Sequence, residues 1–259
     1  MMNLDSLFGL KGRVALITGG SSGIGRHMAL GLASTGARVY ICARRADKVA
    51  AEAEAIAMES GGEVIGLPAD VASVEGIAAL VADLSRREKA LHILVNNAGT
   101  IVDGTFDEYP EDGWDKVMNL NLKTPFFLTQ KLLPLLRAGA TAELPSTVIN
   151  IGSVGALKVG PRENYAYQAS KSATHFMAKS YATHLAKDNI TVNVVAPGFF
   201  ESEMTVIAND EMRNMVESMV PRGRTGTPED MAGVAIYLSS RAGAYVTGIV
   251  LPVEGGLSI

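Results

Sequence analysis

From Arg13 to the C-terminus, short runs rich in β-branched residues alternate with longer helical stretches. That rhythm constrains the fold more than any single motif, because strands that alternate with helices form a parallel sheet covered on both faces. The runs "RVALIT" (13–18), "ARVYICA" (37–43), "EVIGLPAD" (63–70), "LHILVNNAG" (91–99), "STVINIGS" (146–153), "ITVNVVAPG" (190–198) and residues 248–253 read as strands. Helices are predicted near 22–34, 46–60, 74–88, 112–137, 164–187 and 228–239, and "AGATAELPS" (138–146) as an exposed loop. No Pro/Gly/Ser linker breaks the rhythm, so residues 1–259 are expected to form one α/β domain built on a doubly wound parallel sheet of about seven strands.

Composition excludes several classes. A net charge of −4 argues against a nucleic-acid binder, which usually shows a basic stripe. No stretch is apolar for long enough to cross a bilayer, and "MMNLDSLFGLKGR" lacks the apolar core and cleavage site of a secretory leader. Cys42 is the only cysteine, which excludes an intrachain disulfide framework and a cysteine-based zinc site. A reducing cytoplasm is the expected location. His27, His92, His175 and His184 show no i,i+4 pairing, so no metal site is expected from them; surface or partly buried polar positions account for all four.

Ligands of such sheets bind beyond the carboxyl ends of the strands. The first of these ends carries "TGGSSGIG" (18–25), between the first strand and the first helix. Glycine allows a sharp turn and close approach of a pyrophosphate, and the helix N-terminus offers free N–H groups. Gly19, Ser21, Ser22, Gly23, Ile24 and Gly25 are therefore candidate dinucleotide contacts, although the spacing is G-x-x-x-G-x-G rather than G-x-G-x-x-G. An acidic residue at the end of the second strand would bind the ribose hydroxyls of NAD. Here that strand ends in Arg44-Arg45. Guanidinium matches the 2′-phosphate of NADP in charge and geometry, so NADP(H) is the expected cofactor.

The stretch "NYAYQASK" (164–171) holds two tyrosines and a lysine. On a helix, side chains at i and i+4 are neighbours, so Tyr167 shares a face with Lys171 at that spacing and Tyr165 does not. Tyr165 is expected as a pocket wall or helix-entry residue.

Together with "NNAG" (96–99), "NLN" (119–121), "INIGS" (149–153), "YQASK" (167–171) and "APG" (196–198), these features resemble the short-chain dehydrogenase/reductase family over nearly the whole chain. The resemblance implies a Ser–Tyr–Lys triad with an assisting Asn, which map to Ser153, Tyr167, Lys171 and Asn121. Hydride delivery to a carbonyl carbon leaves charge on oxygen, which needs a proton and a hydrogen bond. A phenol with a pKa of about 10 is too weak an acid to cycle readily at pH 7, and a nearby cation such as Lys171 is expected to lower it. The resemblance gives Lys171 a second task on the nicotinamide ribose, and gives Asn121 a water that relays protons to Lys171. It also implies cofactor contacts at Asp70, Val71, Asn97, Ala98, Gly99, Pro197, Gly198 and Ser202. Ser22 departs from the basic residue of many NADP-using relatives, and Glu254 replaces the more usual aspartate.

By the same resemblance, the cofactor part spans about 10–150, the catalytic and substrate part about 146–259, and a lid about 199–225. Met212, Met215 and Met219 fall at helical spacing. Each fits a helix's buried stripe, and as a set they would suit an acyl chain. Glu201 and Glu203 read as exposed lid surface. The chain is most similar to bacterial 3-oxoacyl reductases, including the rhamnolipid-synthesis type. The implied activity is NADPH-dependent reduction of a ketone to a secondary alcohol, with 3-oxoacyl thioesters as the leading substrate class. The rival with the same chemistry is a polyol or sugar-acid dehydrogenase. A non-catalytic dinucleotide-binding protein is the remote alternative, disfavoured because both Tyr167 and Lys171 are present. A small carbonyl or alcohol substrate and a homotetramer built on the helices near 112–137 and 164–187 complete the expectations.

Overall fold

The computed structural model describes residues 3–202 and 209–259. After a short leading helix, α1 (Leu4–Phe8), the chain runs β1 (Val14–Thr18), α2 (Gly23–Ser34), β2 (Arg38–Ala43), α3 (Ala46–Ser60), β3 (Val64–Pro68), α4 (Val74–Arg87) and β4 (Ile93–Asn96). It continues through α5 (Glu111–Met118), α6 (Thr124–Gly139), β5 (Ser146–Ile151), α7 (Tyr165–Leu185), β6 (Ile190–Pro197), α8 (Asp210–Ser218), α9 (Pro228–Ser239) and β7 (Val250–Val253). Among the described residues the strands form one seven-stranded sheet in the order β3-β2-β1-β4-β5-β6-β7, and every pairing is parallel. The order reverses between β1 and β4. This is the crevice where doubly wound sheets take their ligands.

Alternation along each strand builds two cores. Ala15 and Ile17 of β1 face a layer containing Met28, Leu32 and Ile56, together with Met231 and Leu238 of α9. Val14 and Leu16 face the opposite way, toward Leu80, Leu84, Leu128, Leu132 and Val148. A side-chain period of two sends neighbours to opposite faces. Both faces being covered explains why the strands read as continuous apolar runs.

Two expectations need correction. The single helix near 112–137 is α5 and α6 joined by a π turn over Asn119–Lys123. Pro125 follows this turn and supplies no N–H, so the carbonyl of Asn121 cannot make the ordinary α-helical bond to residue 125. The methionines of α8 are not a buried stripe. Met212, Met215 and Met219 are 36%, 56% and 45% exposed, whereas Val216 and Val220 are the buried residues of that segment. Among the described residues, no helix is long and apolar enough to cross a membrane, and no group of three potential metal-binding side chains occurs.

Candidate active site

The glycine turn and the start of β4's loop are stapled across the switch point. Thr18 Oγ1 accepts from the N–H groups of Asn97 and Ala98 at 3.0 and 2.9 Å. In return, Asn97 Nδ2 donates to the carbonyls of Thr18 and Gly19 at 2.9 and 3.0 Å. Gly19 has φ +64°, the left-handed region that side chains avoid. A Cβ on Gly25 would lie 2.5 Å from both Asn97 Nδ2 and the Gly19 carbonyl, so close packing of helix on loop requires glycine there. The Asn97 amide is thus committed to shaping the loop.

Ser22 occupies the N-cap of α2 without making a side-chain cap bond, and Ser21 is buried beside it. Ile24 packs on the α2 side of the core. Ser202 lies over the turn, since a Cβ on Gly23 would come within 2.9 Å of its Cβ. Arg44 and Arg45 are exposed at the end of β2, and neither forms an ion pair among the described residues. Asp70 is exposed and its Oδ1 accepts from Ala72 N–H at 3.1 Å, while Ser73 caps α4. Val71 is buried and its carbonyl accepts from Thr124 Oγ1 at 2.7 Å. Gly99 sits beside the side chain of Asn121. Pro197 ends β6, and Gly198 lies directly against Glu254, whose Oε2 accepts from Ser258 N–H at 2.8 Å. Glu254 thereby holds the C-terminal turn against the strand end.

Ser153 follows β5 and begins a short 3₁₀ turn, where its Oγ accepts from Gly155 N–H at 3.0 Å. Its hydroxyl also acts on the Tyr167 phenol, opposing the upward push of burial. Tyr167 and Lys171 stand one turn apart on α7, with Nζ 5.6 Å from the phenol ring centre. Nζ is buried and donates to the Ile151 carbonyl at 2.7 Å. Asn121, 2% exposed on the π turn, is fully engaged through its side chain. Its Oδ1 accepts from Thr100 N–H at 2.8 Å, and its Nδ2 donates to the Thr100 carbonyl at 2.9 Å and to Ser170 Oγ at 3.2 Å. Ser170 in turn donates to the Tyr167 carbonyl at 2.8 Å, which ties the π turn to α7.

The electrostatics differ from the expectation. Burial pushes the Tyr167 phenol up, with the Ser153 hydrogen bond and the Arg162 charge opposing it. Burial brings Lys171 itself down to about 8, and one of its three N–H groups is engaged by the Ile151 carbonyl. In the protein alone, Tyr167 is a protonated acid at neutral pH.

Tyr165 points elsewhere. Its hydroxyl donates to Glu163 Oε1 at 2.8 Å, and its ring packs edge-on to Phe106 and Tyr109. These rings and Trp114 line a recess of about 340 Å³. A second cavity of about 380 Å³ lies between Phe199, Phe200, Val220, Arg222 and Glu254 and touches neither Ser153 nor Tyr167. Glu201 pairs with Arg213 of α8 at 3.2 Å; Glu203 and the lid positions 203–208 lie outside the described residues. Sequence reasoning missed Thr18, Ser170 and His175, whose ring accepts from the Ser153 N–H. The signals were present for two of them: Thr18 opens the glycine motif, and His175 extends the Tyr167–Lys171 spacing by one more turn.

Comparison with known proteins agrees with this geometry. The family model described as Enoyl-(Acyl carrier protein) reductase matches residues 19–258. The rhamnolipids biosynthesis 3-oxoacyl-[acyl-carrier-protein] reductase of Pseudomonas aeruginosa is 46% identical over 254 residues, covering 97% of this chain and 98% of that protein. The 2-dehydro-3-deoxy-D-gluconate 5-dehydrogenase of Dickeya dadantii is 36% identical, with 96% of each chain covered. The solved Pseudomonas aeruginosa RhlG/NADP active-site complex superposes with a TM-score of 0.95 at 44% identity, covering 100% of both chains. The chain is therefore an oxidoreductase and belongs to the short-chain dehydrogenase/reductase family.

Proposed function

We propose that this enzyme reduces a 3-oxoacyl thioester to the 3-hydroxy product with NADPH. The observation that carries the chemistry is the cluster beyond β5: Ser153 at the strand end, Tyr167, and a buried Lys171 one turn along α7 with Nζ 5.6 Å from the phenol ring centre. The substrate class rests on the 3-oxoacyl reductase that the chain resembles at 46% identity.

The residues present fit a phosphorylated dinucleotide. Gly19 and Gly23 turn the loop with positive φ and Gly25 lets α2 pack tightly on it, which presents the helix N-terminus to a pyrophosphate, and Arg44 and Arg45 are exposed beyond β2 for a 2′-phosphate. Asp70 and Val71 would flank the adenine, Ala98 and Gly99 its ribose, and Pro197, Gly198 and Ser202 the nicotinamide end. Bound there, the cofactor supplies hydride to the carbonyl carbon. Ser153 holds the substrate oxygen, and Tyr167 gives it the proton that burial has kept on the phenol. Lys171 orients the ribose and, as a cation, steadies the phenolate that remains. The Asn121 carbonyl, released by Pro125, holds the water through which the proton is replaced. Residues 199–225 act as a lid, and the exposed methionines of α8 offer an adaptable apolar surface to the acyl chain.

A substrate panel followed by NADPH absorbance tests the reading. Turnover of 3-oxoacyl thioesters is expected; activity confined to sugar acids or polyols would replace it with the dehydrogenase reading. In the same assay, Arg44→Ala/Arg45→Ala should lower kcat/KM for NADPH about 10- to 100-fold, the loss of one or two charge-assisted hydrogen bonds, and leave NADH use unchanged. Equal use of both cofactors by the parent enzyme would refute the assignment.

The protein is proposed to work in the cytoplasm as a homotetramer. Cys42 is a buried free thiol pushed up to about 12 by burial, which suits a reducing compartment. Trp114 on α5 and Phe176 on α7 expose apolar surface, 72% for Phe176, on the helices expected to form the contact. Light scattering reads the mass directly.

A further inference from the structure

Three residues of α7 lie one turn apart on one face: Tyr167, Lys171 and His175. The His175 ring is 7% exposed, and its Nε2 accepts from the Ser153 N–H at 3.3 Å. The sheet ladder explains why that N–H needs a partner. β5 pairs with β6 as far as Ile151, and Gly152 N–H still bonds the Val195 carbonyl at 2.8 Å. Ser153 is the first residue beyond the ladder, and its N–H is left to a side chain. Lys171 takes the Ile151 carbonyl and His175 takes the Ser153 N–H. Two successive turns of α7 thus clamp the end of the strand that carries Ser153. Gly152 makes this possible, because a Cβ there would overlap the imidazole Nε2.

We propose that His175 is a positioning residue for the reaction: as a neutral imidazole it accepts the Ser153 N–H and fixes the direction of the Ser153 hydroxyl toward the substrate oxygen. The inference rests on the role given above to Ser153. A ring nitrogen can accept only while unprotonated. Burial, with the Lys171 charge adding to it, brings His175 down to about 4, so the acceptor persists through neutral pH.

His175→Leu keeps the bulk and removes the acceptor, whereas His175→Gln places an amide oxygen near the position of Nε2. The Leu variant should lose kcat about tenfold and the Gln variant stay within about threefold of the parent, the difference of one buried hydrogen bond. NADPH affinity, read by fluorescence titration, should be unchanged in both. Gly152→Ala displaces the ring and also crowds Val194, so it should lower kcat at least as much as His175→Leu, and its loss should combine less than additively with that of His175→Ala. That double-mutant cycle decides the matter if the Leu variant fails to fold. Equal losses in the Leu and Gln variants, or additive losses in the cycle, would overturn the inference. Ser153→Ala separates the two possible failures. Full activity in that variant removes the role of Ser153 itself; loss there with normal turnover in His175→Leu overturns the role of His175 alone.

Discussion

Tyr167→Phe is expected to lower kcat by about 10³-fold, in the upper part of the range for removing a positioned general acid. NADPH binding should change little, because the phenyl ring keeps its packing and the glycine turn is shaped by other residues. Those residues are Thr18 and Asn97, which brace the turn from the side of β4. The Ser153 hydroxyl stays in place to bond substrate, so KM should move less than kcat. Steady-state kinetics give the first quantity, and fluorescence titration with NADPH gives the second. Near-normal turnover in this variant would remove Tyr167 as the acid.

Lys171→Met should reduce kcat about 10²-fold or more, the scale of a component of the acid–base system. It should also weaken NADPH binding, which distinguishes it from Tyr167→Phe. Two losses combine: the cation that steadies the phenolate, and the donor to the Ile151 carbonyl at 2.7 Å. A stability measurement gives an independent signature. Burial lowers Lys171 from 10.5 to about 8, so between those values the unfolded chain binds the extra proton. Stability from this residue therefore rises with pH across that window, and the cost of burying the cation is full below about 8. The parent protein should gain in Tm relative to Lys171→Met as pH is raised from 8 toward 10.5. A constant Tm difference over that range would show that Lys171 does not titrate as a buried ammonium.

The fold was legible because it depends on short-range patterns. Parallel strands buried on both faces must be apolar throughout, and the helix-forming segments between them are rich in residues such as Ala and Glu. The sequence boundaries of the helices at 46–60 and 228–239 coincide with α3 and α9. The π turn was not legible from periodicity, since one extra residue in a helix leaves both flanking patterns intact. Pro125 is its nearest sequence mark. The burial of α8 was misread for a related reason. Helical spacing puts Met212, Met215 and Met219 on a common side, but which side meets the body is set by packing; Val216 and Val220 take that place.

The candidate site divides in the same way. Residue types at fixed spacing selected Tyr167 over Tyr165 and placed the dinucleotide turn on the first strand–helix junction. The family resemblance supplied Ser153 and Asn121. What these residues bond to is a long-range matter. Asn97 was expected at the cofactor and spends its amide on the Thr18 and Gly19 carbonyls. Lys171 was expected to acidify Tyr167, and burial acts on that phenol in the opposite direction. His175 looked like an ordinary polar position until α7 brought it against β5. The sequence alone determined the sheet's rhythm, the crevice and which tyrosine shares a helix face with Lys171, because propensity, periodicity and i,i+4 spacing act within a few residues. The protonation states, the committed amides and the imidazole behind Ser153 were decided only in the tertiary structure. They depend on which distant backbone groups are left unpaired at a strand's end, and on how deeply each charge is withdrawn from water.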